Sequence, residues 1–418
     1  MRRSNWLSIF SLLFALMLLG ASCADEGGGG NGTDPGGGDA QAECDADEFG
    51  CVEVAEGDPV TLGTLLVISG ENASLGLDSQ AGAEIAAEMR DNEVAGHPVE
   101  WVHADDGCAA EGGQAGGQQL ASNEQIVAVV GTSCSSAGVP AAQILSKAGI
   151  VLISPSNTAP DLTDPASHEP FYLRTAHNDK IQGKAMSDFV TSELGAKTAA
   201  TIHDGSPYAE GLANVFAEEF AAAGGEITNE EAIGVGDKDM KPTLTTIAAA
   251  KPDFLYFPVF VAEGGLIASQ AREIAGLADT DLGGADGMLT PDWIEAAGAD
   301  AAEGAYLSGP DLEFSGDFYE AEFLPAYEEK VGSEPTSVFH AHSFDAVNLL
   351  LDAIEEVAIE EDGSLFIPRT ALKDKLFETS GYAGVVGELT CDENGDCNPG
   401  ASISVSIVEK GDFKRIWP

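Results

Sequence analysis

The chain has 418 residues, with 19 Lys and Arg against 70 Asp and Glu and a formal net charge of −51. So acidic a surface repels phosphate backbones and anionic headgroups, which argues against nucleic-acid binding and against electrostatic docking on lipid. The length is ample for two domains with real cores.

Arg2 and Arg3 precede an apolar run from Trp6 to Leu19, and Gly20, Ala21 and Ser22 follow. A basic start, a short apolar core and small residues make residues 1–22 a secretory signal, too short for a comfortable membrane span. No later stretch reaches about 18 uninterrupted apolar residues, so no transmembrane helix is expected in the mature chain. Seven cysteines follow the arginines: Cys23, Cys44, Cys51, Cys108, Cys134, Cys391 and Cys397. Export permits disulfides, and the zinc alternative would want CxxC-like spacing, which is absent. Near neighbours give Cys44–Cys51 and Cys391–Cys397. Cys108–Cys134 is the remaining mature pair, and its closed loop should contribute roughly 3–4 kcal/mol in the chain-entropy picture. Cys23 is left over. Small residues before a cysteine at the end of an apolar signal resemble a bacterial lipoprotein processing site, which implies cleavage before Cys23 and its acylation. Gly20 stands where a Leu-like residue is usual, with Leu19 one step early.

Residues 24 to about 43 are rich in Gly and Asp and read as a flexible tether. Segment 23–57 would thus be an anchored tether plus a small Cys44–Cys51 loop. From Pro59 a rhythm begins. "VTLGTLLVIS" predicts a buried strand, and "DSQAGAEIAAEMRDN" a helix that Asp78 could cap. "HPVEWVHADD", "QIVAVVG" and "IVLIS" predict further strands, separated by helices over "AEGGQAGGQQLASN" and "SSAGVPAAQILSKAG". After "PFYLRTA" the beat resumes with a helix at 179–194, strand "TAATIHD" and helix "PYAEGLANVFAEEFAAAGG". Strand "EITNEEAI", a helix near 243–250, strand "DFLYFPV" and helix "EGGLIASQAREIAG" come next. Helices at 317–331 and 338–357 and short strands near 385–390 and 402–409 close the chain. Alternating strands and helices predict βαβ units and parallel sheets, and the strand count predicts two α/β lobes.

Parallel sheets bind ligands beyond the carboxyl ends of their strands. The unusual loops there are "ISGENASLG", "GTSCSSAG", "SPSNTAPDLT" and "GGADGMLTPDW". Ser135 and Ser136 open a helix, whose free N–H groups and dipole favour an anion. Thr158 offers N–H and hydroxyl from a loop, and Asp286 offers a negative charge. A carboxylate cradle beside an acidic residue is what a zwitterionic amino acid requires.

From Val60 to Trp417 the chain resembles bacterial ABC-transporter substrate-binding proteins of the branched-chain amino-acid type. The motifs that carry this are "DDGCAAEGGQA", "VVGTSCSSAG", "SPSNTAPDLT", "HDGSPYAEGLA", "DKDMKPTLTTI" and "GELTCDENGD". The resemblance implies an α/β periplasmic-binding fold of two doubly wound lobes joined by three crossovers, near 174–177, 308–312 and 391–402. The lobes would be 58–175 with 311–395, and 176–310 with 396–418, closing on ligand by a hinge. It also implies the Cys108–Cys134 disulfide. Ser135 and Thr158 match residues that hold an amino-acid backbone, and Ser156 and Asn157 match main-chain neighbours of the ligand. Tyr208 matches a cleft tyrosine, Phe260 falls where a ligand-contacting tyrosine often sits, and Asp286 where an acid receives the ammonium. Leu75 replaces a common aromatic, and Asp286 is shorter than the frequent glutamate. The implied partners are a small amino acid and an ABC permease, with a monomer held to the membrane only through lipid on Cys23, outside the cytoplasm.

Enzyme signatures fail. "GTSCS" ends in Ser135 where a G-x-S-x-G elbow needs Gly, and no G-x-x-x-x-G-K-[ST] occurs. His340 and His342 are two apart on a helix and face different ways. "DENGDCNPG" has Cys397 where a calcium loop needs Gly, and reads as a disulfide-pinned turn. No cofactor, metal or enzymatic activity is expected. Two alternatives stay open: the same fold binding an amide, a urea or a small carboxylic acid, or serving as a sensory module.

Overall fold

A computed structural model describes residues 40–314 and 317–418; the signal, Cys23 and most of the tether lie outside the described residues. The rhythm of strands becomes two large sheets. The first runs Glu93–Val94, His97–Asp105, Val60–Leu66, Ile126–Gly131, Val151–Ser154, Tyr172–Arg174, and is parallel except for the 93–94 hairpin edge. The second runs Asp412–Trp417, Ile403–Glu409, Tyr306–Pro310, Asp281–Gly284, Phe254–Tyr256, Thr198–His203, Glu226–Ala232. It is parallel apart from the two C-terminal strands, which pair antiparallel.

Burial explains the composition. Every residue of Val60–Leu66 is buried, because helices cover both faces of a parallel sheet. Helix Ala73–Glu88 packs on helix His340–Val357 so closely that a Cβ on Gly82 would lie 2.1 Å from the His340 carbonyl oxygen. Only glycine fits there.

The chain moves between the sheets three times. It leaves the first after Arg174, and returns from Pro310 toward helix His340–Val357. It crosses again between Leu389 and Ile403.

Three details differ from the sequence reading. Residues 40–43 belong to helix Ala40–Ala46 rather than to a tether. Cys51–Val54 pairs antiparallel with Ser364–Pro368, so ordered structure begins before residue 58. Asp78 caps nothing: the helix starts at Ala73, and Asp78 is buried one turn in. There it accepts hydrogen bonds from the Tyr327 hydroxyl at 2.9 Å and from the His340 N–H at 2.9 Å and Nδ1 at 3.0 Å. Those donors lie far along the chain, so local patterning could not reveal them. The three expected disulfides are all formed. Among the described residues no helix is long and apolar enough to cross a membrane.

Candidate functional site

The site begins with two loops at carboxyl ends of strands in the first sheet. Asp106 accepts N–H bonds from Cys108 and Ser133, both at 2.7 Å, and burial raises its pKa to about 7. With the Cys108–Cys134 disulfide it pins the start of helix Ser135–Lys147. Ser135 is buried at the first position of that helix, and Ser136 beside it is half-buried. The second loop is laced to the first. Asn157 Nδ2 donates to the Thr132 carbonyl at 2.8 Å, and the Thr132 hydroxyl returns a bond to Asn157 Oδ1 at 3.0 Å. Ser156 Oγ donates to the Ser133 carbonyl at 2.6 Å, and the Ala159 N–H donates to Ser135 Oγ at 3.3 Å. Ser156 and Asn157 thus spend their side chains on loop shape. Between them and Ala159, the Thr158 hydroxyl is buried with no hydrogen-bond partner of its own.

The other wall comes from three elements. Asn178 caps helix Asp179–Phe189 by accepting from the Lys180 N–H at 3.0 Å. Asp179, the first helical residue, donates its own N–H to the Thr158 carbonyl at 3.0 Å. Both Asp179 carboxylate oxygens are buried without a hydrogen-bond partner in good geometry. Asp286 Oδ1 accepts from Gln182 Nε2 at 2.8 Å and from the Tyr208 hydroxyl at 3.1 Å, and the Gly287 N–H donates back to that hydroxyl at 3.1 Å. Gln182 also donates to the Ser308 carbonyl at 3.1 Å, and its Oε1 pairs with His177 Nε2. Tyr208 leans on Phe260 with ring centroids 5.1 Å apart. Leu75, Phe260 and Asp286 line one small cavity of ≈ 10 Å³ with Asn72, Ser74 and Thr290.

Charge is the unusual feature. Burial, then the neighbouring Asp286, raises the Asp179 pKa well above the ordinary carboxylate value, and the adjacent Thr158 hydroxyl offsets this only in part. Burial raises Asp286 to about 6 against the pull of its Gln182 and Tyr208 donors. Burial lowers His177 to about 4, so its ring is neutral. His177, Asp179 and Asp286 each offer one donor atom within 4.8 Å of the others. Such a group suits a cation, either an ammonium or a metal ion. Beside it lie the Thr158 hydroxyl, next to Asp179, and the helix start at Ser135, tied to the Thr158 loop through the Ala159 N–H, groups that suit an anion.

Of the residues singled out in the sequence, Leu75, Tyr208, Phe260 and Asp286 lie together, Thr158 adjoins them through Asp179, and Ser135 is tied to the Thr158 loop; Ser136 is half-buried beside Ser135, and Ser156 and Asn157 spend their side chains on the loops. The sequence reading missed Asp179, Gln182 and His177. The available signal was "HNDKIQG", an Asn cap with an acid at the first helical position straight after a strand. A larger groove of ≈ 550 Å³ beside Lys197, Lys251, Asp253 and Asp281 lies at the amino ends of its strands, the wrong ends for a ligand site in this architecture.

The periplasmic binding protein family matches residues 59–405. This chain belongs to that family. As a periplasmic binding protein it is a solute-binding protein, and its relatives are close in length. A leucine-, isoleucine-, valine-, threonine- and alanine-binding protein of Pseudomonas aeruginosa is 30% identical over 79% of this chain and 84% of its own. A Leu/Ile/Val-binding protein homologue of Brucella melitensis is 28% identical over 85% and 93%. The crystal structure of a leucine-binding protein from Thermotoga maritima superposes with a TM-score of 0.76, at 28% identity over 85% of this chain and 97% of that one. A branched-chain amino-acid transporter binding protein from Streptococcus pneumoniae, in complex with isoleucine, gives 0.73 at 26% identity over 86% and 100%.

Proposed function

We propose that this periplasmic binding protein captures a small neutral α-amino acid outside the cytoplasm and hands it to an ABC-transporter permease. One observation carries the ligand class. Two buried carboxylates, Asp179 and Asp286, lie beside the Thr158 hydroxyl, whose loop is tied to the helix start at Ser135. A zwitterion satisfies both walls: its ammonium neutralises the carboxylates, and its carboxylate takes the N–H and hydroxyl donors. An amide, urea or plain carboxylic acid brings no full positive charge and leaves the carboxylates buried against each other. The amino-acid ligands named for the relatives agree with this class.

The lobes in this reading are 58–175 with 311–395, and 176–310 with 396–418. They close over the ligand as a hinge, which also accounts for the burial of Ser135, Thr158, Asp179 and Asp286. The protein acts as a monomer without catalytic activity. Lipid on Cys23 holds it to the membrane.

The test is a thermal-shift and calorimetric screen of the folded body with leucine, isoleucine, valine, alanine and threonine, beside isobutyrate, isobutyramide and urea. A ligand that binds only the folded state must raise its melting temperature. Stabilisation by an amino acid and not by the acid, amide or urea is expected. The reverse order overturns the proposal.

A further inference from the structure

Arg174 ends the last strand of the first sheet, and its side chain is wholly buried. Nη1 donates to the Ala159 carbonyl at 2.8 Å and to the Asn157 carbonyl at 3.3 Å, the two peptide groups that flank Thr158. Nη2 donates to Thr163 Oγ1 at 2.7 Å and to Asp396 Oδ2 at 2.8 Å. The same Asp396 oxygen accepts Asn178 Nδ2 at 2.9 Å. Asn178 is the cap of the helix that begins with Asp179. One ion pair therefore grips both ligand-facing elements: the loop with Thr158 and the helix start with Asp179.

Asp396 does not come from either element. It sits in the segment between Leu389 and Ile403, the third passage between the sheets. That segment is fixed on three sides. Its Cys391–Cys397 disulfide closes a short ring. Asp392 Oδ1 accepts the Asp396 N–H at 3.0 Å. The Arg174 N–H donates to the Gly395 carbonyl at 2.9 Å, and the Cys397 N–H to the Arg174 carbonyl at 3.1 Å. Gly395 has φ +83°, and a Cβ there would meet the Tyr172 carbonyl oxygen at 2.2 Å. Burial alone would raise the Asp396 pKa. The Arg174 charge and the side-chain donors Arg174, Asn178 and Thr163, whose hydroxyl donates to Asp396 Oδ2 at 3.4 Å, outweigh it and hold the carboxyl below its ordinary value, so the carboxylate is ionised.

We propose that Arg174 and Asp396 are positioning residues for ligand capture: they set the separation between the Thr158 loop and the Asp179 helix start, and so the spacing of anion-holding and cation-holding groups that a ligand must match. A planar guanidinium can hold two carbonyls and a carboxylate in one fixed fork, which an ammonium cannot do. The third passage, through its disulfide ring, supplies the reference point. The inference rests on the reading that Thr158 and Asp179 both touch the ligand.

The test uses Arg174→Lys and Asp396→Asn in the whole mature protein, each checked for folding by circular dichroism. In the ligand-free protein, amide hydrogen exchange over 156–163 and 177–181 should speed up by roughly tenfold or more in both variants, while helix 207–222 keeps its protection. Unchanged exchange in those two segments overturns the proposal whatever the ligand is. With leucine as probe, each variant should lose roughly tenfold or more in affinity, and Thr158→Ala should cost clearly less in the Asp396→Asn background than in the wild type. A pair that served stability alone would leave the Thr158→Ala effect additive, which overturns the proposal and leaves the amino-acid reading standing. A wild type that binds none of the amino acids defeats that reading instead, and the exchange measurement still decides the positioning role.

Discussion

Tyr208 donates its phenolic hydrogen to Asp286 Oδ1 at 3.1 Å, across 78 positions of sequence. The same oxygen of Tyr208 accepts the Gly287 N–H. The tyrosine thus aims the carboxylate and closes the turn that carries it. Tyr208→Phe leaves a buried N–H without its acceptor and Asp286 short of one donor. Amino-acid affinity should fall by about 1–2 kcal/mol by calorimetry. An unchanged dissociation constant would show that Asp286 needs no such support.

Asp179→Asn and Asp286→Asn remove the charges assigned to the ammonium. Each should weaken amino-acid binding by about 2–5 kcal/mol, the range for truncating one partner of a buried charge pair. Ligand-free stability should hold or rise, because one of two buried acids that disfavour each other's ionisation becomes neutral. Full affinity in either variant removes that residue from the site.

The raised carboxylates predict a pH dependence. Burial moves Asp286 to about 6 and Asp179 well above its usual value, with Tyr208, Gln182, Thr158 and neutral His177 around them. An ammonium binds the ionised forms, so binding must expel a proton that the ligand-free site holds. Affinity should therefore rise as pH increases through about 6, and binding heats should vary with the ionisation enthalpy of the buffer. Affinity that is flat across that range would refute the arrangement. The ligand-free protein should show the opposite trend. Asp106 and Asp345, both raised to about 7 by burial, bind protons more tightly folded than unfolded, so their contribution to stability is lost as pH climbs from about 4 to 7.

Thr158→Ala and Ser135→Ala separate binding from folding. Each should cost roughly 1–3 kcal/mol of ligand affinity through an unmet carboxylate contact. The Thr158 hydroxyl makes no hydrogen bond in good geometry and only adjoins Asp179, so its removal should change the melting temperature little. Ser135 Oγ accepts the Ala159 N–H, so its removal should lower the melting temperature as well. A loss of stability without loss of affinity would reassign either residue to structure.

Cys23 lies outside the described residues, and its role is read from the sequence alone. Cys23→Ala should shift the protein from the membrane to the soluble fraction on fractionation. A wild type already soluble would rule out the anchor.

Much of the fold is legible in the linear chain. Val60–Leu66 reads as a strand buried on both faces, and the alternation after it reads as parallel sheets, because burial on a parallel sheet shows as unbroken apolar runs. Ser135, Thr158 and Asp286 stand out because helix starts and strand-end loops have local signatures. Asp179 is harder to see. Its acid at a helix start looks like ordinary capping chemistry, and only Asp286, from another part of the chain, makes it exceptional.

The family resemblance alone pointed to Leu75, Ser156, Asn157, Tyr208 and Phe260; composition, periodicity and cysteine spacing by themselves pointed to the three disulfides, the two-lobed α/β class and the candidates Ser135, Ser136, Thr158 and Asp286. These depend on short-range patterns, which a linear chain records. Tertiary structure alone decided that Asp78 serves His340 and Tyr327 rather than a helix end, that Asp179 and Asp286 share one buried site, and that Arg174 reaches Asp396. Each of these is a pairing of charges or donors far apart in sequence. Its energy depends on burial and distance, and neither exists until the chain has folded.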